Sequence, residues 1–231
     1  MIGVIFALGF EAKNFKKRFS HLKIKYCILD VTGMRIAEEV DFLIRKNNIQ
    51  CIVLTGFAGG LTDSLRVGDV VLAKNYTSTQ FLPCFEAGAA SFKIVQLVTV
   101  NHVLETCAAR EQCRQESGAD CCGMETAHVW RVAQSLSIPM ITVRSISDAK
   151  NSDMPIPGDI LIDPRTSRPN TLRLIGYLLR HPKHVPGFIR MVRQASHAAK
   201  RLAKVAQQEM IPCIEMAITQ KKPLRHSWAD E

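Results

Sequence analysis

The sequence predicts an α/β fold: a mixed central β-sheet flanked by helices, with basic amphipathic helices towards its C-terminal end. Three observations lead there. Short apolar runs alternate with helical patterns through the first two thirds of the chain. Several runs, such as Cys51-Ile52-Val53-Leu54, are apolar without interruption, as in strands covered on both faces. At 231 residues, with 47% hydrophobic and 22% charged residues, the chain can also bury one large core. We expect a single domain over 1–231, with an α/β core at 1–163 and a basic helical elaboration at 164–231.

The opening run Ile2-Gly3-Val4-Ile5-Phe6-Ala7-Leu8 has no basic leader and no small-residue cleavage pattern. It therefore reads as a first strand rather than a signal peptide. Further strands are expected at 24–29, 51–55, 69–73, 94–100 and 140–145, and helices at 11–19, 33–46, 102–117 and 124–136. No apolar run approaches the roughly 18 residues needed to cross a bilayer. Eight cysteines would suit a disulfide framework in a short secreted chain, but here no CxxC pair occurs. Cys27 and Cys51 sit in or beside apolar runs, and adjacent Cys121 and Cys122 are poorly placed to share a metal. A reduced cytoplasmic protein without bound zinc is expected.

The formal charge of +9 is localised. Ten of the 30 basic residues lie between Pro164 and Gln208, a stretch without Asp or Glu, leaving 20 basic against 21 acidic residues elsewhere. Spacing predicts a short apolar helix at 172–179, broken by His181-Pro182 and Pro186-Gly187, and a longer helix at 187–207. At about 100° per residue, Arg190, Arg193, His197, Lys200, Arg201 and Lys204 share one arc of the longer helix. Ile189, Val192, Ala195, Ala199, Leu202, Ala203 and Ala206 share the other. The basic arc suits a solvated face. It also suits an anionic membrane surface contacted through 172–204, where each basic residue contributes about 1 kcal/mol. Nucleic acid is not expected, because only 6% of residues are aromatic and no binding motif is present.

Three segments at the C-terminal ends of expected strands carry chemistry, the place where α/β proteins build sites. The first ends in Glu11, which taken alone could be a carboxylate favoured by a helix dipole. The second is Gly56-Phe57-Ala58-Gly59-Gly60 followed by Arg66-Val67-Gly68-Asp69-Val70-Val71. It reads as a glycine-rich turn with N–H groups free to hold an anion, and is neither a Walker loop nor GxGxxG. The third pairs Gly123-Met124-Glu125 with Arg144-Ser145-Ile146-Ser147-Asp148. Here Glu125 could simply cap a helix, and Asp148 could form a turn.

Together and in this order, over residues 1–150, these pieces resemble the nucleoside phosphorylase and nucleosidase family. The strand ending in Glu11 is similar to that family's first strand and catalytic glutamate. Gly56 to Val71 is similar to its GxAGG…VGD segment, Met124-Glu125 to its Met-Glu pair, and Arg144 to Asp148 to its R-x-I-S-D strand end. Within the family, the hopanoid-associated phosphorylases, thought to remove adenine from adenosylhopane, look most similar. The usual Gly-Asp-x-Phe purine loop is missing between Val98 and Cys121, and the basic tail over 172–202 resembles that branch.

The resemblance implies a nucleoside phosphorylase-like fold and cleavage of a purine–ribose bond. Asp148 would be the general acid that protonates the purine at N7, kept protonated by a pKa raised through burial. Glu125 would accept hydrogen bonds from the ribose hydroxyls, and Met124 would pack beneath the sugar. Phe57, Ala58, Gly59, Arg144 and Ser147 would complete the substrate site, and Glu11 would position an attacking water. No cofactor is implied, and phosphate as co-substrate stays open, with the Gly56–Gly60 loop and Arg144 as its candidate ligands. Gly123 stands where the methylthioadenosine enzymes carry a second acid, which puts that substrate in doubt. A small-molecule nucleoside, a homo-oligomer and a cytoplasmic location, peripheral on the inner membrane, are the expected context. The alternatives are a soluble methylthioadenosine/adenosylhomocysteine nucleosidase, a purine nucleoside phosphorylase, or an inactive nucleoside- or membrane-binding protein. Joint retention of Glu11, Glu125 and Asp148 argues against lost catalysis.

Overall fold

The computed structural model describes residues 1–6, 25–28, 35–88, 91–161 and 170–214. Glu11 and the helix expected at 11–19 lie outside the described residues. The strands are β1 (Ile2–Phe6), β2 (Lys25–Ile28), β3 (Cys51–Gly60), β4 (Val70–Ala73), β5 (Phe92–Val95), β6 (Leu97–Thr99), β7 (Cys121–Gly123) and β8 (Met140–Asp148). They form one mixed sheet in the order β2-β1-β3-β8-β4-β5. β7 branches from the end of β3 and carries β6. β2, β1, β3 and β8 run parallel, whereas β4 opposes β8.

The continuous apolar runs are explained by what covers each face. On one face, Val4, Phe6, Val53 and Val143 join a buried cluster with Leu202, Val205 and Met210. On the other, Ile5, Ile52 and Leu54 pack with Ile36, Val40 and Ile44 of α1 (Arg35–Asn47), and with residues Val129 and Val132 further along the chain. Successive strand residues alternate between the faces, so with both covered nearly every position is apolar. Burying each large aliphatic side chain stabilises the fold by about 1.5–3 kcal/mol.

The remaining helices are α2 (Leu82–Gly88), α3 (Cys107–Ser117), α4 (Thr126–Ser135), α5 (Gly158–Leu161), α6 (Thr171–Arg180) and α7 (Val185–Val205). Residues 94–100, expected as one strand, are two short ones interrupted at Gln96, whose amide is taken by the Asp120 carboxylate at 2.9 Å. The expected strand at 51–55 continues to Gly60. Residues 56–60 are therefore not a free glycine-rich turn. Residues 56–59 pair with β8, and Gly59 and Gly60 pair with Cys122 and Cys121 of β7.

The apolar arc expected along the long basic helix is covered only in its second half. Ala198, Ala199, Leu202, Ala203 and Val205 of α7 are buried against the sheet, but Ile189 and Val192 are 44% and 47% exposed. α6 buries no residue, and Leu172 and Leu179 are 85% and 78% exposed. The arc is longer than the sheet surface beneath it, so α6 and the first turns of α7 project beyond the core. Among the described residues, no helix is long and apolar enough to cross a membrane.

Candidate active site

β3 and β8 are the longest strands, and their C-terminal ends diverge at a bulge between Ala58 and Gly59 that sets Gly59 opposite Asp148. Bulges re-aim side chains at the ends of strands. Here the divergence opens a cavity of about 200 Å³. Its walls include Phe57, Ala58 and Gly59 from β3, Ser147 and Asp148 from β8, and Gly123, Met124 and Glu125 between β7 and α4. Three segments distant in sequence thus meet at one strand-end crevice, as expected of α/β sites.

Glu125 occupies the N-cap position of α4, yet its side chain makes no capping hydrogen bond. Its carboxylate instead lies 3.5 Å from a guanidinium nitrogen of Arg144. The capping explanation for this acid therefore does not describe its side chain. Arg144 is fully buried and also donates to the Thr126 hydroxyl at 2.9 Å, while its Nε has no partner. Arg144 is not on the cavity wall. It lies behind Glu125 and acts as counter-ion to it.

Asp148 is held from both sides. The Ser147 hydroxyl donates to Oδ1 at 2.5 Å, and Arg110 of α3 forms an ion pair with Oδ2. The close approach requires glycine at position 59. A Cβ there would sit 3.1 Å from Asp148 Oδ2, 3.1 Å from Cys122 Sγ and 3.4 Å from Arg110 Nη1. The burial expected to keep Asp148 protonated is partial, because its side chain is 32% exposed. Its surroundings are set by Arg110, which the sequence reading did not single out.

Arg110, His102, Val103, Leu104 and Cys122 also line the cavity. Burial pushes the Cys122 thiol up to about 12, and the nearby Asp148 charge adds to this. Cys122 is accordingly a thiol in the cavity wall at neutral pH, not a thiolate nucleophile. The site therefore offers two carboxylates, each with an arginine behind it, on an otherwise mostly apolar wall. Such a wall can hold a flat or sugar-like ligand while the carboxylates accept hydrogen bonds or exchange a proton.

Comparison with known proteins agrees with this architecture. Residues 85–160 match the family model of the Phosphorylase superfamily. A curated relative, 5′-methylthioadenosine/S-adenosylhomocysteine nucleosidase of Shewanella oneidensis, is 26% identical over 151 residues, covering 52% of this chain and 64% of that protein. The match thus spans just under two thirds of the relative's length. Futalosine hydrolase of Helicobacter pylori shares the fold with a TM-score of 0.64 at 15% identity, over 95% of this chain and 97% of that one. The nucleosidase of Colwellia psychrerythraea in complex with adenine superposes with a TM-score of 0.55 at 18% identity, over 64% of this chain and 83% of that one. Over residues 85–160 the chain is thus similar to the Phosphorylase superfamily, and its sheet shares the fold of these nucleosidases.

Proposed function

We propose that this protein cleaves the N-glycosidic bond of an adenine nucleoside and releases adenine. The observation that carries the reading is the presence of Glu125, Met124, Ser147 and Asp148 on the walls of one cavity, with neither carboxylate engaged in a cap or turn. Glu125 accepts hydrogen bonds from the ribose hydroxyls, so its negative charge stabilises the cationic sugar as the bond breaks. Asp148 passes a proton to N7 of the leaving base, and the electrons of the broken C–N bond go to the purine ring. Glu11 positions the nucleophile.

Water fits as the nucleophile better than phosphate. Arg144, the cation that the sequence offers for phosphate, is committed to Glu125 and Thr126 behind the wall. The proposed substrate carries a large apolar group at its 5′ carbon, as adenosylhopane does. The protein works as a peripheral protein on an anionic membrane. The bare apolar ridge of α6, with the basic residues around it, supports that location. A soluble methylthioadenosine/adenosylhomocysteine nucleosidase is the second reading, favoured by the curated relative named above.

Incubation with adenosylhopane, methylthioadenosine and adenosylhomocysteine, each with and without phosphate, tests this. We expect free adenine, fastest from the lipid nucleoside, at a rate independent of phosphate and with a free sugar as co-product. No adenine from any of the three would remove the enzymatic reading. A sugar 1-phosphate product would replace water by phosphate.

A further inference from the structure

α3 is a polar helix in which Arg110, Glu111, Arg114 and Glu116 all read as surface residues. The fold treats one of them differently. Arg110 is 1% exposed, one of the two largest fully buried side chains among the described residues. Besides its ion pair with Asp148 it donates to the Ala149 carbonyl at 3.4 Å, and its Nε is buried without a partner. A guanidinium taken out of water at a cost of several kcal/mol needs an anion beside it. Here that anion is the proposed acid.

We infer that Arg110 is the positioning residue of Asp148, holding its carboxyl at the cavity wall and stabilising the carboxylate that remains once the proton has passed to the leaving base. The inference rests on the reaction proposed above. Asp148 gives its proton to N7 and becomes a carboxylate, and the charge it acquires appears directly against the guanidinium. Arg110 is then paired more strongly after proton transfer than before, an interaction that grows towards the transition state.

Among the described residues, the other groups facing Asp148 are few. Ser147 donates to Oδ1, and the neutral Cys122 thiol approaches from β7. Glu125 and His102 share the cavity. Lys150, two residues on, is turned to Glu111 at 2.9 Å and Asp63 at 3.5 Å.

The test compares wild type with Arg110→Met, Arg110→Gln and Arg110→Lys, using melting temperature to confirm folding. In the neutral variants we expect kcat to carry the loss while KM for the nucleoside changes little, as for an interaction that strengthens in the transition state. Turnover at the optimum falls roughly tenfold or more as transition-state pairing is lost. Arg110→Lys, which keeps the charge, retains most of kcat. Equal loss in all three variants, or a loss confined to KM, would make Arg110 merely structural and overturn the inference. Crystal structures of the wild type and Arg110→Gln read the placement of the Asp148 carboxyl without turnover. Should the wild type release no adenine, the proposed reaction fails. The inference about the pair then stands if the Asp148 carboxyl leaves its place in Arg110→Gln, and falls if it does not.

Discussion

Gly59 and Asp148 face each other across the β3–β8 bulge so closely that a methyl group on Gly59 would lie 3.1 Å from the Asp148 carboxylate. The glycine-rich stretch therefore serves the site by leaving space rather than by presenting a free turn. Gly59→Ala should push the carboxylate, Cys122 or Arg110 out of place. The cost expected for overpacking is about 1–3 kcal/mol. A loss of turnover of roughly 10²-fold is also expected, the scale of a displaced catalytic group. Melting temperature and adenine release measured on one preparation separate the two effects.

Asp148→Asn should lower adenine release by roughly 10²-fold or more, the scale of general-acid catalysis. It should also destabilise the protein, because it leaves Arg110 buried without an anion. Breaking a fully buried pair costs roughly 3–5 kcal/mol, but Asp148 is one third exposed, so about 1–3 kcal/mol is expected. Denaturant unfolding of Asp148→Asn, Arg110→Met and the double variant should show the double variant less destabilised than the sum of the single ones.

Glu125→Gln keeps the shape of the side chain and removes the charge that faces the sugar. Adenine release should fall roughly 10²-fold, with kcat affected more than KM, as for an interaction that strengthens in the transition state. Arg144 keeps its bond to Thr126. Steady-state kinetics that showed only a raised KM would assign Glu125 to ground-state binding instead.

Burial holds the Cys121 and Cys122 thiols at about 12. At pH 8 only about one such thiol in 10⁴ is ionised, so neither should react with iodoacetamide in the folded protein while both react in urea, as read by peptide mass spectrometry. Linkage gives the accompanying trend. The folded thiols bind protons more tightly than the ordinary value of 9.0, so their contribution is complete below about pH 9. It is lost as pH rises towards 12, and the melting temperature should fall over that interval.

Leu172→Glu together with Leu179→Glu places charges on the two most exposed apolar residues of α6. Sedimentation with anionic vesicles should drop several-fold, while cleavage of a water-soluble nucleoside is unchanged. Absence of vesicle binding by the wild type at low salt would remove the membrane location.

Much of the architecture was legible in the sequence. Val53 and its neighbours announce a strand covered on both sides, and Leu202 and Ala203 announce the buried stripe of α7. What was not legible depends on tertiary contact. β7 is three residues long, too short to show a period, and the reach of β3 to Gly60 depends on β7 being there to pair with it. Met124, Glu125, Ser147 and Asp148 could be named because each ends or begins an element within a recognisable segment. Arg110 could not, because nothing local separates it from Arg114 four residues on, which stays at the surface beside Glu111. Only the ion pair of Arg110 with Asp148, at the end of β8, distinguishes them.

The two inward-turned arginines have a consequence for how the molecule assembles. Arg144 is part of β8, and Arg110 meets its counter-ion at the last residue of that strand. Until β8 inserts between β3 and β4, neither cation has a dry place to sit. Zipping of the central strand and wiring of the crevice should therefore occur as one cooperative event, with amide protection in β8 and ligand competence appearing together during refolding.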